Sequence, residues 1–176
     1  EITNGRNVRL HTAAGSGEVK VLTGGASVSA GENTAVVFKC ERAILLTPGQ
    51  PLLLRRPGAS GTFAGGQVLA STGLAGQRTG TLIEFGKRLI DASPVAVLNA
   101  WLDLCRVIDL SDPAVSVDLG IAQDVLEECC CDGVRSDSIH RVPHSSVVIS
   151  ENGRESLSQN IVQRLHGRSQ DGKAAW

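Results

Sequence analysis

The first seventy residues alternate between apolar and polar side chains, which is the pattern of half-buried β-strands. In residues 7–12 (NVRLHT) two apolar side chains alternate with Arg9 and His11, and residues 18–22 (EVKVL) repeat this period. Further short runs rich in branched side chains lie at 34–39, 43–46 and 51–56. About six short strands separated by glycine and proline turns predict a small antiparallel barrel or sandwich over residues 1–75.

The period of the apolar residues changes to that of a helix after a glycine-rich segment. Residues 71–80 (STGLAGQRTG) are small and polar, so we expect a junction between two domains there. Residues 76–92 are interpreted as a linker or helix. Ser93 is then a helix cap and Pro94 the first helical residue, followed by apolar side chains at helical spacing.

Two further helices and two strand-like runs complete the predicted second domain, residues 93–176. Asp112 caps the second helix and Gly120 ends it, whereas the third helix has one apolar face and ends at Gly133. Short strand-like runs follow at 134–137 and 146–150. Helix, short helix, helix and a two-stranded wing is the order of a winged-helix module.

A last helix is predicted after Ser150. Its evidence is the recurrence of Leu157, Ile161 and Leu165 at every fourth position, which is typical of a helix face. We expect this helix to leave the winged-helix module toward the C-terminus. The fold class predicted from these patterns is therefore α+β, with a β domain followed by a winged-helix domain.

Charge is segregated along the chain, although the formal net charge is only −1. Residues 1–90 contain ten Lys and Arg against five Asp and Glu, and residues 91–150 contain three against ten. A basic β domain favours an anionic partner, most commonly an RNA backbone. The third helix exposes acidic side chains, which repel phosphates, so we expect no DNA binding. The candidate RNA contacts are Arg9, His11, Lys20, Arg42, Arg55 and Arg56.

The sequence contains no pattern of an enzyme or a metal site. A G-x-S-x-G elbow and a G-x-x-x-x-G-K-[ST] phosphate loop are both missing, so we predict no catalytic residue and no cofactor. The five cysteines form no C-x-x-C pair, and none of the four histidines has the spacing of a metal pair on a helix. We interpret the run Cys129–Cys131 as small apolar side chains on a helix.

Other features of the composition bear on the cellular location and the partners of the chain. Five cysteines, three of them adjacent, suit reduced thiols and a cytoplasmic location. No run of about 18 apolar residues is present, so we expect no membrane partner. The chain contains no methionine, and we expect it to be a fragment of a longer protein. Three Phe and two Trp are too few for a platform that stacks single-stranded bases.

Four sequence elements, in order, resemble the third domain of selenocysteine-specific translation elongation factors, which are GTPases related to elongation factor Tu. The family's elements are V-R-x-H, G-[ST]-x-E-V, P-G-D-R-F-x-L-R and T-I-G-G-G-x-V-L-D. The matching residues are Val8, Arg9 and His11; Gly15, Ser16, Glu18 and Val19; Pro48, Gly49, Leu54 and Arg55; and Thr62, Gly65, Gly66, Val68 and Leu69. Departures from the pattern are Gln50-Pro51, Ala64 and Ala70.

The resemblance implies a fold and a set of partners. The first domain would be a small antiparallel β-barrel that helps to grip the acceptor and T arms of selenocysteinyl-tRNA on the ribosome. The winged-helix module would be a spacer toward further modules that bind an mRNA hairpin. The GTPase domain, with its GTP and magnesium, would lie outside this chain, which would itself have no enzymatic activity.

Two other functions stay open from the residues alone. A transcription regulator would bind DNA through its winged helix and sense a ligand or dimerise through its β domain, although only Arg135 and Arg141 are available as cations there. An adaptor that binds only protein would carry its Lys and Arg as ordinary surface. The glycines Gly65 and Gly66 interrupt a predicted strand, and we expect them to close the barrel by a bulge or a close backbone crossing, without contacting RNA.

Overall fold

The first half of the chain forms one antiparallel sheet. The computed structural model describes residues 1–58, 61–71, 76–136 and 138–170, and side chains as far as residue 163. The centre of the expected domain junction (72–75), Asp137 of the predicted wing and the side chain of Leu165 therefore lie outside the described residues. The strands are β1 (Arg6–Thr12), β2 (Gly15–Leu22), β3 (Val37–Cys40), β4 (Pro51–Arg55) and β5 (Thr62–Gln67), in spatial order β3-β2-β1-β4-β5.

The predicted alternation is confirmed, because one face of this sheet is buried. Its apolar cluster consists of Val8, Leu10, Val19, Val21, Leu52, Leu54 and Val68. The run 43–46 is not a strand but part of a loop that covers this face, and Ile44 packs there against the cluster. A Cβ atom at Gly17 would lie 2.8 Å from Ile44 Cδ1, so the glycine allows this loop to approach β2.

The sheet is open within the described part of the chain. Its edges are β3 and β5, and no described pairing joins them, so the closed barrel expected from the resemblance is not found. The bulge expected at Gly65 and Gly66 lies elsewhere. Leu54 pairs with Ala64 and Arg55 with Thr62, which leaves Phe63 as the extra residue, whereas both glycines have regular partners on β4.

The second half combines five helices with a three-stranded antiparallel sheet, so the described chain is an α+β fold. The helices are α1 (Thr79–Leu89), α2 (Pro94–Cys105), α3 (Pro113–Leu119), α4 (Gln123–Arg135) and α5 (Glu151–Gln170). The strands are β6 (Val107–Asp109), β7 (Ile139–Arg141) and β8 (Val147–Ser150), in spatial order β6-β8-β7. None of the described helices is long and apolar enough to cross a membrane.

The capping residues predicted for α2 and α3 are confirmed. Ser93 Oγ accepts a hydrogen bond from the Ala96 N–H at 3.4 Å, and Asp112 Oδ1 accepts one from the Ala114 N–H at 2.9 Å. Gly120 ends α3 with a φ of 66°, the left-handed conformation that glycine adopts at little cost.

The end of α4 differs from the prediction. The helix continues past Gly133 to Arg135, and the strand expected at 134–137 begins only at Ile139. Gly133 is a packing glycine, because a Cβ atom there would lie 2.4 Å from Ile139 Cδ1. The predicted last helix is present as α5, but Leu157 and Ile161 are 42% and 58% exposed, so they form no buried face.

Two hydrophobic clusters lie along the chain, and the halves that hold them approach each other closely at two glycines. The second cluster is built from residues 85–148 and contains Trp101 and Leu126. A Cβ atom on Gly86 of α1 would lie 2.9 Å from Ala35 Cβ. A Cβ atom on Gly120 would lie 2.8 Å from Pro48 Cβ. The helical half therefore packs against loops of the β half.

Candidate nucleic-acid interface

One face of the first sheet is solvent-exposed and carries most of the candidate contacts. Because side chains alternate along a strand, the residues between the buried ones point to this outward face. The strand register places the residues of the outward face in three rows. These rows are Lys39, Lys20 and Asn7; Glu18, Arg9, Arg55 and Thr62; and Ser16, His11, Leu53 and Gly65.

Two pairs of cations lie directly opposite one another on the outward face. Arg9 of β1 is the partner of Arg55 on β4, and Lys20 of β2 is the partner of Lys39 on β3. Like charges at opposed positions destabilise a sheet, whereas opposite charges stabilise it. The fold therefore gains no stability from either like-charge pair.

None of these four cations forms a salt bridge within the described part of the chain. The Arg9 guanidinium donates to Ser16 Oγ at 3.4 Å, and Arg55 Nε donates to Thr62 Oγ1 at 3.3 Å. Glu18 is the nearest acid by register, opposite Arg9, but it is not within salt-bridge distance. The guanidinium and ammonium charges therefore stay available to an external ligand.

The four cations form a stepped line across the sheet, because Lys39 and Lys20 lie in one row and Arg9 and Arg55 lie in the next. They occupy four adjacent strands in the order Lys39, Lys20, Arg9 and Arg55. Neighbouring strands are about 4.8 Å apart, so the line spans on the order of 14 Å across the sheet. A line of this length suits several consecutive phosphates better than one small anion.

A second group of cations surrounds Phe63 at the bulge in β5. The Cζ atoms of Arg6 and Arg56 each lie 5.9 Å from the centre of the Phe63 ring, which is within the range of a cation–π contact. Arg56 was among the sequence candidates, but Arg6 and Lys39 were not. Their charge was visible in the sequence, whereas their position depends on strand pairing.

The other two sequence candidates are less favourably placed. His11 lies on the outward face, but its Nε2 atom is buried and has no hydrogen-bond partner. Arg42 is exposed in the loop after β3 and belongs to no strand. The register therefore brings Arg9, Lys20 and Arg55 together, places Arg56 beside Phe63, and leaves Arg42 apart.

The exposed side of α4 is acidic, as predicted. Asp124, Glu127 and Glu128 are all exposed. Arg135 is paired with Asp132 at 3.1 Å, which leaves Arg141 on β7 as an exposed cation beside the helix. A helix with this surface is unsuited to the phosphates of a DNA groove.

The cysteines show the features of packing residues. Cys129 and Cys130 are buried on α4, and burial raises the pKa of both thiols above the ordinary value, so they stay protonated near neutral pH. Cys131 is exposed. Within the described ranges no three His, Cys, Asp or Glu side chains come together as a metal ion would require.

Comparison of the chain with protein-family models, with curated proteins and with solved structures gives no match in any of the three.

Proposed function

We propose that the chain is part of a selenocysteine-specific translation elongation factor, and that the outward face of the first sheet contributes to binding selenocysteinyl-tRNA. The observation that carries the proposal is the presence of two opposed cation pairs, Arg9 with Arg55 and Lys20 with Lys39, without described salt bridges. Cations in such positions are favourable when a phosphate backbone lies over them and releases its counterions.

The arrangement of the four family-like elements supports this proposal. They fall on β1, on β2, on β4 with the turn before it, and on β5, which are four contiguous strands of one sheet. We assign this sheet to the barrel-like third domain of the factor. The assignment rests on the order of the strands and does not require that the described residues close a barrel.

The second half is proposed to be a winged-helix spacer. Its element order α2-β6-α3-α4-β7-β8 and its sheet order β6-β8-β7 support a winged-helix module in which α4 takes the place of a recognition helix. The acidic surface of α4 disfavours direct contact with nucleic acid. On this proposal the protein acts in the cytoplasm on the ribosome, with the GTPase domain and the mRNA-hairpin reader outside this chain.

The proposal is tested by reversing one charge of an opposed pair. Arg55→Glu replaces a like-charge pair with an opposite-charge pair beside Arg9, so the fold should keep or slightly gain stability. Binding of a fluorescently labelled selenocysteine-tRNA transcript, measured by anisotropy, should weaken roughly tenfold or more at about 0.1 M salt.

Arg141→Glu is the matched control, because it makes the same charge change on an exposed strand of the acidic half. It should leave tRNA affinity almost unchanged. If the wild-type chain binds no tRNA, or if Arg55→Glu binds tRNA as well as wild type, the proposal is overturned. Weaker binding of a DNA duplex by Arg141→Glu would then favour the regulator, and no binding of either nucleic acid would favour the adaptor.

A further inference from the structure

Neither the backbone conformation nor the local packing at Gly65 requires a glycine. It lies in β5 with no left-handed φ, so its backbone suits any residue. A Cβ atom there would have Leu53 Cδ2 at 3.5 Å as its nearest neighbour, which is ordinary van der Waals contact. Glycine inside a strand costs stability, roughly 0.5–1 kcal/mol relative to alanine. Packing among the described residues therefore does not account for this glycine.

The N–H and C=O groups of Gly65 point away from the rest of the sheet. The Val68 N–H donates to the Gln50 carbonyl at 2.9 Å, and hydrogen-bonded pairs alternate with non-bonded pairs in an antiparallel ladder. The bonded pairs are therefore the ones that include Gly66 and Ala64, and Gly65 lies between them. Its N–H and C=O point toward the edge that faces away from β4.

Gly65 also lies beside the line of cations. It is the partner of Leu53, two residues before Arg55 on β4, and all three share the outward face. Gly65 is exposed and so is Leu53. Gly65 thus provides a backbone N–H at the edge of the sheet, one row from Arg55 in the register and with no side chain over it.

We propose that the Gly65 N–H donates a hydrogen bond to a phosphate oxygen of an RNA backbone that Arg55 also holds. Backbone N–H groups are common phosphate ligands and fix the register of a nucleic acid. A phosphate that spans from the Arg55 side chain to this N–H crosses the outward face above Gly65, where a Cβ would stand, and this accounts for the glycine. This inference rests on the proposed function, and it names a contact that the sequence prediction had excluded.

The neighbouring glycine provides a matched control. Gly66 pairs with the buried Leu52, so a Cβ atom at position 66 would point to the other side of the sheet, where its nearest neighbour is Leu52 Cδ1 at 3.8 Å. Gly66→Ala therefore makes the same chemical change in the same strand, away from the outward face.

The experiment compares Gly65→Ala with Gly66→Ala in the full chain. Thermal unfolding should show that both variants are at least as stable as wild type. Affinity for the labelled tRNA transcript should fall roughly fivefold or more in Gly65→Ala, because the hydrogen bond from this N–H to a charged phosphate is weakened. In Gly66→Ala the affinity should stay at the wild-type value.

The outcomes separate this inference from the proposed function. If wild type binds tRNA and Arg55→Glu weakens it while Gly65→Ala binds as well as Gly66→Ala, only the Gly65 contact is overturned. A melting temperature of Gly65→Ala well below that of wild type would also overturn it, because the fold would then require the glycine. Failure of wild type to bind tRNA overturns both.

Discussion

Gly133 determines how closely α4 can approach β7. Gly133 is buried against Ile139, and the Ile139 side chain is only 1% exposed and therefore has little room to move. The sequence predicted Gly133 as the end of the helix, because glycine is the usual residue just after a helix. The sequence alone does not distinguish a glycine that ends a helix from one that allows close packing. Here the position of Ile139 shows that Gly133 is the second kind.

Replacing Gly133 with alanine should destabilise the protein. The new Cβ would lie 2.4 Å from Ile139 Cδ1 and 2.8 Å from Cγ1, so helix or strand must shift, at a cost of roughly 1–3 kcal/mol of unfolding free energy. Chemical denaturation measures this change. Ile139→Val removes Cδ1, the closest atom, so the double variant should lose less than the sum of the two single losses. Additive losses would mean that the contact is not the cause.

Helix boundaries that depend on capping residues were predicted to within about one residue. The boundaries of α2 and α3 follow from Ser93-Pro94, from Asp112-Pro113 and from Gly120, all of which act through the backbone within one turn. Strand β6 was not predicted, because three residues are too few to show a period. It exists through its pairing with β8, which is distant in sequence.

A cluster of charged side chains ties the start of α5 to β7. Glu151 in the first turn of α5 contacts His140 of β7 and accepts a hydrogen bond from Arg154 Nε at 3.1 Å. Hydrogen bonds from Arg154 and then from His140 lower the pKa of Glu151 below its ordinary value of 4.5. The contacts at the start of the helix therefore favour the ionised form of the Glu151 carboxyl.

The stability of the protein should depend on this carboxylate in acid. Because the pKa of Glu151 is lower in the folded state, its stabilisation is fully present above about pH 4.5 and is lost as the pH falls through the lowered pKa. Glu151→Gln should therefore lower the melting temperature at pH 7 and reduce the further loss on acidification. Glu155→Gln, one turn along the same helix, is the control. Parallel pH profiles for wild type and Glu151→Gln would refute the assignment.

At the scale of the whole molecule, the candidate interface depends on pairing between strands that are far apart in sequence. The sequence predicted that the first half is made of strands, which is confirmed, and the count of Lys and Arg makes this half basic. It could not predict that Arg9 faces Arg55, because β1 and β4 are separated by two other strands and three connecting segments. The fold of each half was thus more predictable than the geometry of the site.

The two halves are held together by contacts in which glycine allows close approach, and Gly86 tests this interface. A Cβ atom at Gly86 would lie 2.9 Å from Ala35 Cβ and 3.7 Å from Leu69 Cδ1, so Gly86→Ala should push α1 away from the loop before β3. Unfolding free energy should fall by roughly 1–3 kcal/mol, even though alanine favours the helix.

Gly80 of the same helix is the matched control, because a Cβ atom there would meet nothing within 4 Å. Gly80→Ala should stabilise the protein by up to about 1 kcal/mol through helix propensity alone. Opposite signs for the two substitutions would show that the loss at Gly86 comes from the contact between the halves and not from the helix. If Gly86→Ala is as stable as Gly80→Ala, the close approach of α1 to Ala35 does not contribute to the fold.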